Sequence, residues 1–146
     1  TFHGRDIFAP VAGHLARGGD LADLGPPADP AALQRMQLER PFRSADGRRL
    51  DGVVTGVDRF GNLITNIGDK DLEAIGDTGG GRLVIGIGRR RLQGLAPFYG
   101  HVPEGEPLAI IGSRGMLEIA VRGGSAAKNL GADPGQAVQV TWEAAP

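Results

Sequence analysis

Three short segments of the chain combine side chains that can bind or react with a small molecule. In the first, His3, Arg5 and Asp6 fall within four positions, beside a glycine and just before a helical pattern. A histidine in such a turn can act as an acid, a base or a hydrogen-bond anchor near neutral pH. The alternative is an exposed cluster in which Asp6 caps the helix and Arg5 is solvated.

The second segment has the sequence DRFGN at residues 58–62 and lies between two strand-like runs. Asp58 offers a carboxylate, Phe60 a flat apolar face, and Asn62 an amide that both donates and accepts hydrogen bonds. This set suits a ligand that carries a purine and an ammonium group. The alternative is a plain turn with Phe60 in the core, because Asp, Gly and Asn are favoured turn residues.

The third segment has the sequence GSRG at residues 112–115 and lies at another corner between strand-like runs. Arg114 can hold a carboxylate or phosphate through two parallel hydrogen bonds, and a glycine-rich turn exposes backbone N–H groups to the same anion. Ser113 adds a hydroxyl group. The alternative is an ordinary glycine turn with a solvent-facing arginine.

Composition excludes several classes of partner. The 146 residues carry 16 Lys and Arg against 17 Asp and Glu, for a formal net charge of −1, and 5% are aromatic. Such a chain has no general positive field for nucleic acid or an acidic membrane surface. It has no cysteine, and its three histidines lie far apart. No apolar run approaches the roughly 20 residues of a membrane-spanning helix. We therefore expect no metal, no nucleic acid partner and no membrane partner.

The beginning of the chain predicts a helix and a connector. Apolar residues recur at helical spacing over residues 6–17, with Asp6 as the expected N-cap and Gly18-Gly19 as the stop. Residues 29–39 predict a short helix that opens with Asp29-Pro30, and the alternative is an extended connector.

From residue 50 onward, short apolar runs alternate with turn residues. Six runs predict strands, at 52–58, 62–67, 82–87, 107–111, 116–121 and 136–142. Two short helices are predicted at 69–75 and 125–130. Ser125 is the expected cap of the second helix, and Gly131 is its expected stop. Glu118 alternates with apolar neighbours, which predicts that it lies on the solvent face of its strand. The pattern favours a compact antiparallel barrel or sandwich.

The three segments, in this order, resemble a known family. The matching stretches are TFHGRDIFAP at 1–10, VDRFGNLITNI at 57–67, SRGMLEIAV at 113–121 and GSAA at 124–127. The chain resembles the S-adenosylmethionine hydroxide adenosyltransferases, formerly domain of unknown function 62. They are related to the fluorinating and chlorinating enzymes that act on S-adenosylmethionine.

The resemblance implies an architecture and an assembly. Family members have a larger N-terminal α/β domain and a smaller C-terminal β-barrel, and they place their sites between subunits of a homotrimer. We therefore expect residues 1–28 to be the helical end of an α/β domain that is mostly missing, 29–49 a connector, and 50–146 the mainly β, antiparallel barrel with short helices.

The resemblance also implies residue roles at the reacting end and the amino-acid end of the substrate. His3 matches the histidine of a hydrogen-bonded set that positions water or hydroxide, which makes it the expected catalytic residue. Asp58 matches the residue that faces the methionine ammonium. Ser113 and Arg114 match the pair that holds the amino-acid end.

Further residues match the family positions around adenine. Phe60 and Asn62 match residues that line the base. Tyr99 lies where the family has an aromatic ring stacked on adenine, with Phe98 as the alternative. Val121 occupies the position of an arginine in halogenating members, where only a backbone contact with the ligand could remain.

The function implied by the resemblance is hydrolysis of S-adenosylmethionine to adenosine and methionine. S-adenosylmethionine is then the substrate, adenosine a product, and no cofactor is expected. His3 favours water over halide, because the halogenating relatives lack this histidine. The alternatives are a barrel that binds adenine nucleosides without turnover, or a halide-using relative. A weaker alternative is a barrel that binds oligonucleotides, against which the net charge of −1 and the low aromatic content count. We expect a cytoplasmic enzyme, and we expect the 146-residue chain alone to be inactive.

Overall fold

The computed structural model describes residues 2–33, 39–75 and 81–143. The chain divides into two compact units, Thr1–Gln37 and Leu38–Pro146. In the described part, no helix has the length and apolar character that a membrane crossing requires.

The first unit is helical. A π-helical turn at Gly4–Phe8 leads into α1, Ala9–Ala16, and Gly18 with φ +80° follows its end, as predicted. The prediction that Asp6 caps this helix is wrong. The helical backbone already begins at His3 and Gly4, so Asp6 lies inside it and instead pairs with Arg5 at 2.6 Å.

Two 3₁₀ turns follow α1 within the first unit, at Leu21–Leu24 and Pro30–Ala32. The Asp29 carboxylate accepts a hydrogen bond from Ala31 N, which confirms it as an N-cap. The predicted helix at 29–39 is thus only a single turn at Pro30–Ala32, and residues 34–38 of that prediction lie outside the described residues.

The second unit is an antiparallel, nearly closed barrel. Its strands are β1 Phe42–Arg43, β2 Arg49–Val57, β3 Leu63–Gly68, β4 Arg82–Ile87, β5 Arg90–Gln93, β6 Pro107–Ile111, β7 Met116–Val121 and β8 Ala137–Glu143. They follow the order β5-β4-β8-β2-β3-β7-β6, and β1 pairs with β2. A hydrogen bond of 2.7 Å from Ala96 N to Ala109 O links the segment after β5 to β6, across the open side of this order.

All six predicted strands are present, each with ends within three residues of the prediction. The sequence did not predict β1 or β5. Strand β5 begins with two exposed arginines, and Leu92 is its one buried residue. Two helices interrupt the sheet, α2 at Asp69–Ala74 and α3 at Ala126–Leu130. The Ser125 cap and the left-handed Gly131 stop of α3 are confirmed.

The barrel core is built from alternate residues along each strand, the ones that face inward. Leu117 and Ile119 are fully buried on β7, and Leu63 and Ile67 are fully buried on β3. Thr65 is also buried, and its hydroxyl is satisfied by donating to Leu117 O at 2.8 Å, where the β3–β7 register shifts. This packing fixes the turns that follow β2 and β6, which carry two of the three polar segments.

Candidate functional site

An open pocket of about 1020 Å³ lies on the second unit. Four parts of the barrel line it: the β2–β3 turn, the 3₁₀ turn Tyr99–His101, the β6–β7 turn and the end of β7. All predicted binding residues line this pocket: Asp58, Phe60, Asn62, Tyr99, Ser113, Arg114 and Val121. The fold therefore brings together residues that are up to 63 positions apart (58 to 121). Their roles toward a ligand remain predictions.

Asp58 is held by its own turn. Its Oδ1 accepts hydrogen bonds from Phe60 N at 2.8 Å and Asn62 N at 2.9 Å, and its Oδ2 accepts from Asn62 Nδ2 at 2.9 Å. Gly61 closes the turn with φ +87°, a conformation that side-chain-bearing residues rarely adopt. The carboxylate is thus fixed in place before any ligand arrives.

The environment of Asp58 favours its charged form. Burial by itself raises the pKa of this carboxyl, but the hydrogen bonds from Asn62 and Phe60 outweigh it. The net result is a pKa below the ordinary value of 3.8. The pocket therefore presents a negative charge at neutral pH, which suits an ammonium group.

The β6–β7 turn presents Ser113 and Arg114. Gly115 has φ +71° and donates from its N to Gly112 O at 2.9 Å, which closes the turn. Both side chains at its tip are exposed. Within the described residues, the Arg114 guanidinium makes no hydrogen bond or ion pair, so its donors are available to an anion.

Aromatic rings form the apolar part of the lining. Phe60 is 64% exposed, which excludes the alternative that it belongs to the core, and Tyr99 is 45% exposed. Tyr99 lines the pocket, whereas Phe98 lies outside the lining and packs edge-on against His101 at 5.8 Å. The geometry therefore favours Tyr99 as the ring available to a ligand.

The sequence prediction for Glu118 is wrong. It was expected on the solvent face, but it is 7% exposed and lines the pocket. The alternation along β7 correctly separates Glu118 from the core residues, but the segment around Tyr99 covers this outer face. Tyr99 OH donates to Glu118 Oε2 at 3.1 Å. A carboxylate within an apolar strand was the signal that could have marked it.

His3 belongs to the first unit, where it is exposed at the start of the π-helical turn. The neighbouring ion pair of Arg5 and Asp6 is also exposed. The alternative interpretation of that segment is correct in this exposure and wrong in the Asp6 cap. The described residues hold no group of three or more His, Asp or Glu side chains arranged for a metal ion.

Comparison with known proteins identifies the family. The model of the SAM hydroxide adenosyltransferase C-terminal domain matches residues 52–139, more than half of the chain. The chain belongs to this family. The match covers the strands and turns that carry the pocket, from β2 into β8.

Individual curated proteins align with most of the chain. An (R)-S-adenosyl-L-methionine hydrolase of Thermus thermophilus is 40% identical over 96% of this chain and 49% of its own length. A hydrolase of the same name from Salinispora tropica is 39% identical over 97% of this chain and 51% of its own length. A fluorinase of Actinoplanes sp. is 34% identical over 82% of this chain and 41% of its own length. The chain thus spans about half the length of these relatives.

A solved structure has the same fold. A crystal structure of a conserved protein from Thermotoga maritima superposes with a TM-score of 0.68 at 33% sequence identity. It covers 97% of this chain, and the chain covers 52% of it. The chain therefore shares its fold with a relative whose structure was determined by crystallography.

The lowered pKa of Asp58 predicts a pH-dependent effect of Asp58→Asn on stability. A carboxyl group whose pKa is lower in the folded state stabilises that state at neutral pH and ceases to do so as it becomes protonated. We expect Asp58→Asn to lower the free energy of unfolding at pH 7, and this difference from wild type to shrink as the pH falls from about 5 toward 1. Urea unfolding across this range measures it.

Asp133→Asn is the matched control for this substitution. The Asp133 side chain is exposed and makes no hydrogen bond to the described residues. A difference between Asp58→Asn and wild type that stays constant with pH, or that matches the control, would contradict the role of the turn in holding a charged carboxylate.

Proposed function

We propose that the complete protein hydrolyses S-adenosylmethionine to adenosine and methionine, and that this chain holds the adenine and amino-acid ends of the substrate. The observation that carries the proposal is a single pocket in which the Asp58 carboxylate and the available Arg114 guanidinium accompany the exposed rings of Phe60 and Tyr99. These groups complement, in turn, an ammonium, a carboxylate and a purine. S-adenosylmethionine carries all three.

The proposed reaction is an in-line displacement. A water oxygen forms a bond to C5′ of the ribose while the bond from C5′ to the sulfonium sulfur breaks. The electron pair of the broken bond goes to sulfur, which leaves as the neutral thioether of methionine, and the water proton passes to a base. His3 is the proposed base, because imidazole accepts protons near neutral pH.

Binding of the two remote ends supports catalysis in this scheme. Water is a weak nucleophile, so it must be held close to C5′ and in line with sulfur. Such positioning contributes roughly 7–11 kcal/mol in the best-oriented cases. Contacts of Asp58, Arg114 and the aromatic rings with parts of the substrate that do not react can fix C5′ for that attack.

We also propose a homotrimer in the cytoplasm, with the substrate between the barrel of one subunit and the N-terminal domain of the next. The proposal includes no cofactor, since the sulfonium substrate already carries its own leaving group. It includes no nucleic acid or membrane partner, since a formal charge of −1 gives no general positive field for either. The family resemblance supports the trimer. Light scattering on the complete protein tests the trimer, and cell fractionation tests the compartment.

Product analysis in ¹⁸O-labelled water tests the proposed reaction. We expect the complete protein to convert S-adenosylmethionine to methionine and to adenosine that carries one ¹⁸O at the 5′ position. The 146-residue chain alone is expected to give no products. A halogenated nucleoside formed in the presence of fluoride or chloride would favour the halide-using alternative. Tight binding without any products from the complete protein would favour a non-catalytic adenine-nucleoside module.

Replacement of His3 tests its proposed role in the same assay. We expect His3→Ala to lower kcat of the complete protein by about 100-fold or more, the usual scale for loss of a general base. His14→Ala is the matched control, because His14 lies on α1 and its ring lies within 3.1 Å of Asp20 O and 3.6 Å of the Asp23 carboxylate. Equal rates for the two variants would remove His3 from the mechanism.

A further inference from the structure

The floor of the pocket contains a carboxylate in an otherwise apolar row. Glu118 on β7 is the direct partner of Ile64 on β3 and of Ile110 on β6, so the three side chains share the outer face of the sheet. All three are buried and line the pocket. Burial of a charged group at the centre of such a row costs free energy unless the group is hydrogen-bonded or paired with another charge.

The backbone beside Glu118 is shaped to admit its side chain. A Cβ atom at Gly112 would overlap Glu118 Oε1 and would lie 2.9 Å from Oε2. Any residue larger than glycine at position 112 would therefore push the carboxylate away. The absence of a side chain at Gly112 leaves the space that the Glu118 carboxylate fills. Gly112 begins the β6–β7 turn, which also carries Arg114.

Two side chains of β7 and its end hold the segment that covers this face. Glu118 accepts a hydrogen bond from Tyr99 OH at 3.1 Å. Arg122 donates from Nη1 to the carbonyl oxygens of Val102 at 2.8 Å and Gly100 at 3.4 Å. The aromatic wall of the pocket is thus attached to β7 both through its ring and through its backbone.

We propose that Glu118 is a positioning residue that fixes the Tyr99 ring as the wall against which the nucleoside base binds. It acts through Tyr99, because its Oε2 accepts the hydrogen bond of the phenol, while Tyr99 lines the pocket and is 45% exposed. The hydrogen bond between Tyr99 and Glu118 carries the claim that Glu118 holds the ring. The claim that a nucleoside base binds against this ring rests on the proposed function.

The electrostatics of Tyr99 agree with this contact. Burial raises the pKa of the Tyr99 phenol, and the charge of Glu118 and the hydrogen bond to it raise this pKa further, with a smaller contribution from Asp58. The positive groups that line the same pocket are Arg114 and Arg122.

Titration of the phenol measures the contact without any ligand. Tyr99 is the one tyrosine of the chain, so the ultraviolet absorbance of phenolate reports on it alone. We expect Glu118→Gln to lower the pKa of Tyr99, because the substitution removes a negative charge and keeps the shape. Glu73→Gln, an exposed glutamate on α2, is the matched control. Circular dichroism over the same pH range confirms that each variant stays folded.

A double-mutant cycle at neutral pH measures the effect on ligand binding. We expect Glu118→Gln to weaken adenosine binding to the complete protein by about 10-fold when Tyr99 is present, and by less than about 2-fold in the Tyr99→Phe background. Such non-additivity shows that two residues act as a unit. An equal loss in both backgrounds would mean that Glu118 acts on the ligand directly and would overturn the positioning role.

The two readouts separate this inference from the proposed function. An unchanged Tyr99 titration in Glu118→Gln overturns the positioning role even if S-adenosylmethionine is hydrolysed. Absence of adenosine and S-adenosylmethionine binding in the wild type overturns the proposed function, and with it the role of Tyr99 toward the base. The titration then still decides whether Glu118 holds the ring.

Discussion

Gly61→Ala is expected to lower the free energy of unfolding of the chain by about 3 kcal/mol, while Gly88→Ala lowers it by only about 1 kcal/mol. Gly61 has φ +87° and Gly88 has φ +54°, so each substitution destabilises the fold by placing an alanine in a strained backbone conformation. The two positions differ in what surrounds them. A Cβ atom at Gly88 would meet nothing within 4 Å.

At Gly61 the added methyl group would collide with the start of α3. It would lie 2.6 Å from Ser125 Cβ and 3.0 Å from Ser125 Cα. The backbone is fixed there, since Ala127 N donates to Gly61 O at 3.0 Å. The β2–β3 turn must therefore move away from α3, and the hydrogen bonds that hold Asp58 move with it.

Urea unfolding of the two variants, followed by circular dichroism, measures this difference. The Gly88→Ala variant isolates the cost of backbone strain, and the excess at Gly61 is the cost of the collision. Equal destabilisation of the two variants would mean that the turn is not locked against α3. The Asp58 carboxylate would then lack the fixed position that the proposed function requires.

Arg114→Ala is expected to weaken S-adenosylmethionine binding to the complete protein by about 10–100-fold, the scale of a lost hydrogen bond to a charged group. Adenosine binding should change by less than about 2-fold, because adenosine lacks the carboxylate that the guanidinium is proposed to hold. Isothermal titration calorimetry with both ligands measures the two effects.

Arg89→Ala is the matched control for Arg114→Ala. Arg89 is exposed in the turn between β4 and β5, outside the pocket, and its replacement removes the same charge. If Arg89→Ala also weakened S-adenosylmethionine binding 10-fold, the effect would come from overall charge. If Arg114→Ala weakened adenosine as much as S-adenosylmethionine, Arg114 would not face the amino-acid end.

The strands and the two polar turns that line the pocket could be predicted from the sequence because their signals are local. Alternating apolar runs define β2, β3 and β7, and the residues DRFGN and GSRG are favoured in turns. The Ser125 cap and the Gly131 stop are likewise set by neighbours along the chain. Where residue type and spacing determine the structure, prediction and structure agree.

The errors concern features that residue type and spacing do not determine. Alternation on β7 assigns Glu118 to the outer face, but only the folding of the segment around Tyr99 over that face makes it buried. Asp6 was assigned a capping role from its type, whereas the helix begins upstream of it. Strand β5 carries arginines that give no apolar alternation, and its pairing with β4 makes it a strand.

A crystal structure of the complete protein with bound S-adenosylmethionine tests the central claim most directly. We expect the methionine carboxylate within hydrogen-bonding distance of the Arg114 guanidinium, the ammonium facing Asp58, and the adenine against the ring of Tyr99. A ligand bound elsewhere on the protein, or one in this pocket that contacts neither Asp58 nor Arg114, would contradict it.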